Sequence, residues 1–242
     1  MQKQVFVTHK TISFHYPTMT STIEPTRDID DLVHSIDWLG HDGFFITGSK
    51  KIVIDPYDIG SFSKKADVVL ISHEHRDHCS PKDIEKVSGK ETRIVASVQA
   101  VKALTGNVQV LHPDESLEVE GLQITGIPAY NTNKFRSQGV PFHPKEDQKL
   151  GFVFEMDDIR YYFAGDTDFI PEMKKIKKIH VAFLPISGTY VMTVDEAVKA
   201  ARTINPRLVI PMHFGSIVGT KQDAVSFAEK AGIAVHIPEK EI

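Results

Sequence analysis

Apolar residues fall along this chain in short runs rich in Val, Ile and Phe, each closed near Gly, Pro, Asp or His, a pattern that predicts many short strands. In the first half the runs cover residues 5–8, 43–47, 51–55, 67–72 and 93–96. In the second half they cover 122–127, 151–156, 160–164, 181–185 and 207–211, with Asp157-Asp158 as a hairpin turn between two of them. Helices are fewer and better marked. Residues 194–204 begin on the capping box Thr193-Val194-Asp195-Glu196 and end at Asn205-Pro206; a last helix over 222–230 stops at Gly232 before a strand over 233–236. Strands punctuated by a few amphipathic helices predict an α/β protein of layered sheets covered by helices.

One strand end carries unusual chemistry. Behind the apolar run Val68-Val69-Leu70-Ile71 comes His73-Glu74-His75-Arg76-Asp77-His78, which holds three of the twelve histidines. Residues i and i+2 of an extended chain point the same way, so His73 and His75 can reach one ion together. Asp77 and His78 follow where the chain turns. Ser80 then offers a helix cap, Pro81 suits the first turn and Asp83 stands three residues past the cap, so a helix is predicted directly after the ligands. Imidazole and carboxylate favour zinc, iron or manganese over calcium or magnesium. Cys79 adjoins the cluster as the one cysteine of the chain, which excludes a thiolate-type structural zinc site.

Two further strand ends add to it. In Tyr161-Tyr162-Phe163-Ala164-Gly165-Asp166-Thr167-Asp168, Gly165 permits a tight turn and Asp166 points a carboxylate out of the strand; Leu208-Val209-Ile210-Pro211-Met212-His213 ends on a histidine. Alone, such an Asp is usually a helix cap and such a His structural. With the cluster they make six ligands, enough for two metal ions sharing one carboxylate.

Composition narrows the class. At 242 residues and 41% hydrophobic content, one domain over 1–242 can bury a sizeable core. A lone cysteine excludes an intrachain disulfide, the N-terminus lacks a basic-then-apolar leader, and no apolar run nears the roughly 18 residues that span a bilayer. A cytoplasmic protein is expected. The net charge of −4 and pI near 6.3 give no general case for nucleic acid. Residues 131–150 form a long polar segment, and a loop of that length in a compact domain is more often functional than idle. It sets Lys134, Arg136, Lys145 and Lys149 against Glu146 and Asp147, a small basic excess that tilts the expectation towards an anionic substrate. The pattern leaves monomer and homo-oligomer equally open.

From about Trp38 to Phe214 the chain resembles the metallo-β-lactamase superfamily: the His-x-His-x-Asp-His signature, the Gly-Asp-Thr containing Asp166 and the late His213 stand in the family's order. Trp38-Leu39-Gly40-His41, Ile54-Asp55-Pro56 and Leu184-Pro185-Ile186-Ser187-Gly188 look like the branch with ascorbate-6-phosphate lactonase and the phospholipase D acting on N-acylated phosphatidylethanolamine. The resemblance implies a four-layer αββα sandwich with two divalent ions at one edge, zinc foremost and manganese or iron as alternatives. It places His73 and His75 on the first ion, Asp77, His78 and His213 on the second, and Asp166 between them. The family's third histidine on the first ion is missing, because Pro128-Ala129-Tyr130 leads into Asn131. Asn131 is one candidate replacement through its carbonyl oxygen; His143, in the long loop, is the other. His41 and Asp55 are expected to hold ligand histidines in the right tautomer, Asp77 to orient or deprotonate the attacking water, and Tyr190 to face the substrate. The expected function is metal-dependent hydrolysis of an ester-like bond, a lactone, phosphodiester or thioester, in a small anionic substrate. The alternatives are a nuclease or a non-catalytic metal- or ligand-binding protein.

Overall fold

The computed structural model describes residues 28–240 together with the backbone of residues 5–8 and 11–14. Two sheets face each other. The smaller is built from β3 (Ile36–Gly40), β4 (Gly43–Thr47), β5 (Lys51–Ile54), β6 (Ala66–Ile71), β7 (Ser88–Ala96) and β8 (Asn107–Val110), in that order. Strands β3 to β5 pair antiparallel, and β5 to β8 parallel. The larger sheet runs β1 (Val5–Thr8), β2 (Thr11–Phe14), β17 (Ala234–His236), β16 (Leu208–Met212), β15 (Val181–Pro185), β14 (Ile159–Phe163), β13 (Leu150–Met156), β10 (Leu122–Pro128) and β9 (Ser116–Val119), with β14 to β17 parallel.

The strand period of two sorts the smaller sheet's side chains into two cores. Phe44, Ile46, Ile52, Ile54, Val68 and Leu70 face inward, where they join Phe152, Phe154, Phe163 and Phe183 of the larger sheet in one buried cluster. Their alternates Phe45, Val53, Val69 and Ile71 face outward and pack with Ile84 and Val87 of α2 (Pro81–Val87). On the far side α3 (Val194–Ile204) buries Ala197, Ala200, Ala201 and Ile204, and α4 (Lys221–Ala231) buries Ala224, Phe227 and Ala228. Small residues let these helices lie close to the sheet. The layers are therefore helix, sheet, sheet, helix. No helix among the described residues is long and apolar enough to cross a membrane.

Apart from β7, which begins at Ser88 where residue 93 is expected, the predicted strands form within one or two residues of their expected ends, and the Asp157-Asp158 turn has both residues left-handed, as a two-residue hairpin needs. The predicted box at Thr193 is present, with Thr193 and Glu196 bonding reciprocally. Ser80 departs from expectation. It stands at the start of α2, but its hydroxyl donates to the Asp83 carboxylate at 2.8 Å instead of capping the backbone. Asp83 also accepts from Asp58 N and Lys86, so it ties the helix start to the preceding loop.

Candidate metal centre

Every candidate residue lies at one edge of the two sheets. Asp55 follows β5, His73 to His78 follow β6, Asp166 follows β14 and His213 follows β16, so the carboxyl ends of strands from both sheets converge. Such ends are where α/β sheets place ligands. Asp55, His41 and His213 have left-handed φ values of 41°, 51° and 60°, sharp backbone bends that turn each side chain off its strand.

Two clusters result. In the first, His73 Nε2 lies 3.1 Å from His75 Nδ1, and His143 Nε2 lies 3.3 Å from the same atom. The long loop thus brings His143 to the gap left by the missing histidine. Asn131 is beside it, and its Oδ1 accepts from the His143 backbone N–H at 2.9 Å and faces His143 Nδ1 at 3.0 Å. Its amide nitrogen donates to Asp168 and to the Tyr190 carbonyl. Asn131 therefore orients His143. In the second cluster the ligand atoms of His41, Asp42, His78 and His213 all lie within 4.8 Å of one another. Asp166 touches both: its carboxylate is 3.9 Å from His73 Nε2 and 3.3 Å from His143 Nε2, 3.4 Å from His78 Nε2 and 3.3 Å from His213 Nε2.

The outer nitrogens of the histidines decide what the inner ones offer. Ser72 donates its hydroxyl to Asp55, so at 2.9 Å it accepts from His73 Nδ1. Asp55 accepts from His78 Nδ1 at 2.9 Å. Ser187 donates to the Thr189 carbonyl and accepts from His213 Nδ1 at 3.0 Å. Asn131 does the same for His143. In four histidines Nδ1 is held by an outer acceptor, and Nε2 is turned inward. The Nε2 atoms of His78 and His213, Oδ1 of Asp166 and both oxygens of Asp42 are buried without a hydrogen-bond partner among the described residues. Unsatisfied buried polar atoms in such number are expensive. Cations held between them would satisfy all of them, so the residues fit a metal centre.

The groups differ in charge. Burial holds His73 well below the usual histidine range, and it lowers His143 to about 4 and depresses His75 as well. These three present lone pairs at neutral pH. For His213 burial also disfavours the charged form, but Asp166 and Asp42 outweigh it and raise the pKa to about 9. His78 is raised in the same way by Asp166 and Asp55. Loading the second cluster therefore releases protons.

Asp55 bonds His78 directly and His73 through Ser72. His41 does not hold a histidine. Its Nε2 faces the Asp77 carboxylate at 3.3 Å. The Tyr190 ring is partly exposed, at 37%, and packs edge-on against Phe142 at 4.6 Å. Asp42 and Ser187 went unnoticed as site residues in the sequence; a His-Asp pair in a turn between apolar strands was the available signal for the first.

The basic loop is spent internally. Lys134 pairs with Asp168 and Glu196, Lys145 with Glu172, and buried Lys149 with Glu74, while Arg136 donates to the carbonyls of Pro141 and Phe142. These cations fix the loop and are no evidence for an anionic substrate. Glu196 shows the strength of the anchor: part-burial would raise its pKa, but bonds from Lys134, Asn133 and Thr193 bring it down to about 2. A depressed carboxylate stabilises the fold above its unfolded pKa and loses that contribution as pH falls through the folded one. Glu196→Gln should thus lower the melting temperature of chelator-treated protein at pH 7, with the difference from wild type shrinking between about pH 4.5 and 2.

The chain matches the β-lactamase superfamily domain over residues 35–213. It is 31% identical to a UPF0173 metal-dependent hydrolase of Methanoculleus marisnigri, covering 79% of this chain and 86% of that one. A crystal structure described as a metal-dependent hydrolase from Parabacteroides distasonis superposes with a TM-score of 0.73 at 35% identity, over 85% of this chain and 93% of the other. Igni18, a metallo hydrolase of Ignicoccus hospitalis, shares the fold with a TM-score of 0.67 at 22% identity, over 86% and 95% of the two chains. The chain belongs to the metallo-β-lactamase superfamily. Within it, the chain is a member of the UPF0173 metal-dependent hydrolases.

Proposed function

We propose that this chain is a cytoplasmic hydrolase, acting as one catalytic domain over 1–242, that cleaves an ester-like bond of a small substrate with two divalent cations. Zinc is the first expectation and manganese or iron the alternatives. The carrying observation is the convergence of inward-facing imidazole nitrogens from His73, His75 and His143 on one side of Asp166 and from His78 and His213 on the other. His73, His75 and His143 would hold the first ion; Asp77, His78 and His213 the second; Asp166 both. Such ions, when bound, supply a water acidified to near neutral pH and an electrophile for the substrate oxygen.

The chain's own groups do the rest. Partial burial would raise the Asp77 pKa, but the His41 hydrogen bond and the charge of His78 hold it well below the usual carboxylate range. Asp77 is therefore ionised at neutral pH, and at 26% exposure it is open to accept a hydrogen bond from a water and orient it. His41 fixes the direction in which it points. A cavity of about 200 Å³, lined by Trp38, His41, Tyr57 and Gly215, opens beside His41. A non-catalytic reading rested on the absent histidine, and His143 takes that support away.

The test is a panel of lactones, phosphodiesters and thioesters assayed with and without chelator. Turnover of at least one class, abolished by chelation and by His75→Ala together with loss of bound metal, is expected; a His75→Ala protein that keeps both metal and activity contradicts the assignment. A salt-sensitive activity on single-stranded oligonucleotides would favour the nuclease instead. A second expectation concerns Asn131. Asn131→Ala leaves His143 free to rotate and should weaken the first ion by about 10- to 100-fold, the usual effect of losing a ligand's outer partner, as read by metal titration.

A further inference from the structure

The geometry points to Asp42 as a further ligand of the second ion, a carboxylate additional to Asp77 and Asp166; this inference rests on the two-ion reading above. Asp42 stands in the turn between β3 and β4, fully buried. The turn is fastened from both sides. Trp38 Nε1 donates to the His41 carbonyl at 3.0 Å, and the backbone N–H of His213 donates to the same oxygen at 3.3 Å. The peptide that carries Asp42 is thereby tied directly to His213, itself one of the second ion's histidines.

Its side chain makes no hydrogen bond of its own. Neither oxygen has a hydrogen-bond partner among the described residues, although a carboxylate has room for about four. Asp42 Oδ2 lies 3.5 Å from His78 Nε2, 3.6 Å from His41 Nε2 and 3.9 Å from His213 Nε2. Charge-assisted hydrogen bonds from imidazolium run at about 2.7–2.9 Å, so these are not ordinary ion pairs. Two donors on one zinc-sized ion, each about 2.0–2.2 Å from it, stand about 3.0–3.5 Å apart. Asp42 Oδ2 keeps this separation from His78 and stands a few tenths of an ångström beyond it from His213. Asp166 keeps it from both His78 and His213, at 3.4 and 3.3 Å.

With Asp42 the two positions become chemically unequal. The first has three imidazoles and the shared Asp166. The second has His78 and His213 with three carboxylates, Asp42, Asp77 and Asp166. An oxygen-rich set of five donors suits ions that accept five or six ligands, manganese or ferrous iron, better than zinc.

The test uses the full chain, wild type and Asp42→Asn, stripped with chelator and reloaded with Mn²⁺ or Zn²⁺. Bound metal is measured by elemental analysis and titration calorimetry, and melting temperature is followed before and after loading. Wild type should take up two ions. Asp42→Asn should keep one at wild-type affinity and bind the second at least about 10-fold more weakly, with Mn²⁺ affected more than Zn²⁺. The rise in melting temperature on loading should be smaller for Asp42→Asn than for wild type, and any loss in the stripped variant should be smaller than the loss in the loaded one. Asp42→Ala, smaller than the aspartate, gives the same readings should the asparagine fold poorly. Two ions at unchanged affinity in the variant would overturn the assignment. So would equal losses of melting temperature in stripped and loaded protein, the mark of a simple counter-charge to the histidines. A wild-type chain that takes up no ion at all would instead overturn the two-ion reading on which the inference stands.

Discussion

Asp166→Asn is expected to release at least one ion and lower kcat/KM by about 1,000-fold or more, the scale of losing several kcal/mol of metal-derived stabilisation. The substitution keeps shape and removes charge. Asp166 is the carboxylate within 4 Å of histidines from both clusters, and it is 3% exposed, so solvent cannot take its place. The three histidines of the first cluster bring no negative charge of their own. Without Asp166 a dication there would face neutral imidazoles, and His78 and His213 would lose the partner that offsets their burial. Elemental analysis and steady-state kinetics on the same preparation check this. Two retained ions with kcat/KM within about tenfold of wild type would show that Asp166 does not hold the centre together.

Gly165→Ala should give the largest loss of stability from a single methyl group. Gly165 has φ +64°, and an added Cβ would stand 2.4 Å from the Leu150 carbonyl oxygen. That oxygen belongs to backbone that cannot yield easily: Leu150 N donates to Ser72 O at 3.0 Å, and Leu150 pairs with Pro128 across β13 and β10. Left-handed strain of about 1–2 kcal/mol and a backbone shift of about 1–3 kcal/mol add to roughly 2–5 kcal/mol, or about 10 °C in melting temperature for a chain of this size. Because Asp166 is the next residue, metal affinity should fall too. Gly60→Ala is the control. Gly60 has φ +57° with nothing within 4 Å of the added carbon, so it carries the strain alone and should lose about 1–2 kcal/mol. Equal melting temperatures for the two variants would refute the close approach at Gly165.

The strands that build the core were readable because they are apolar on one or both faces and end on turn residues. β8 and β9 were not: β8 is an edge strand whose residues are mostly exposed, and β9 shows little burial, so neither leaves an apolar run. β3 is half-buried and interrupted by Asp37, and β7 extends back to Ser88 through exposed Gly89, Lys90 and Glu91 because pairing with β6 begins there. The six proposed ligand positions are legible because His and Asp follow buried strands. What joins distant segments stayed hidden. Nothing local announces that Lys149 meets Glu74, that Lys134 meets Glu196, or that Asn131 holds His143, since each pairing depends on where the long loop folds back. Asp42 was hidden for a different reason. In the sequence it is one polar residue in a tight turn beside His41, and only the fold brings His78 of its own sheet and His213 of the other to it.

The central claim, two cations shared between two histidine groups through Asp166, is tested most directly by a crystal structure of protein purified with its native metal, with anomalous scattering recorded at the metal edges. The account predicts two anomalous peaks, one among His73, His75 and His143 and one among Asp77, His78 and His213, both against Asp166. A single peak, or peaks away from Asp166, would contradict it.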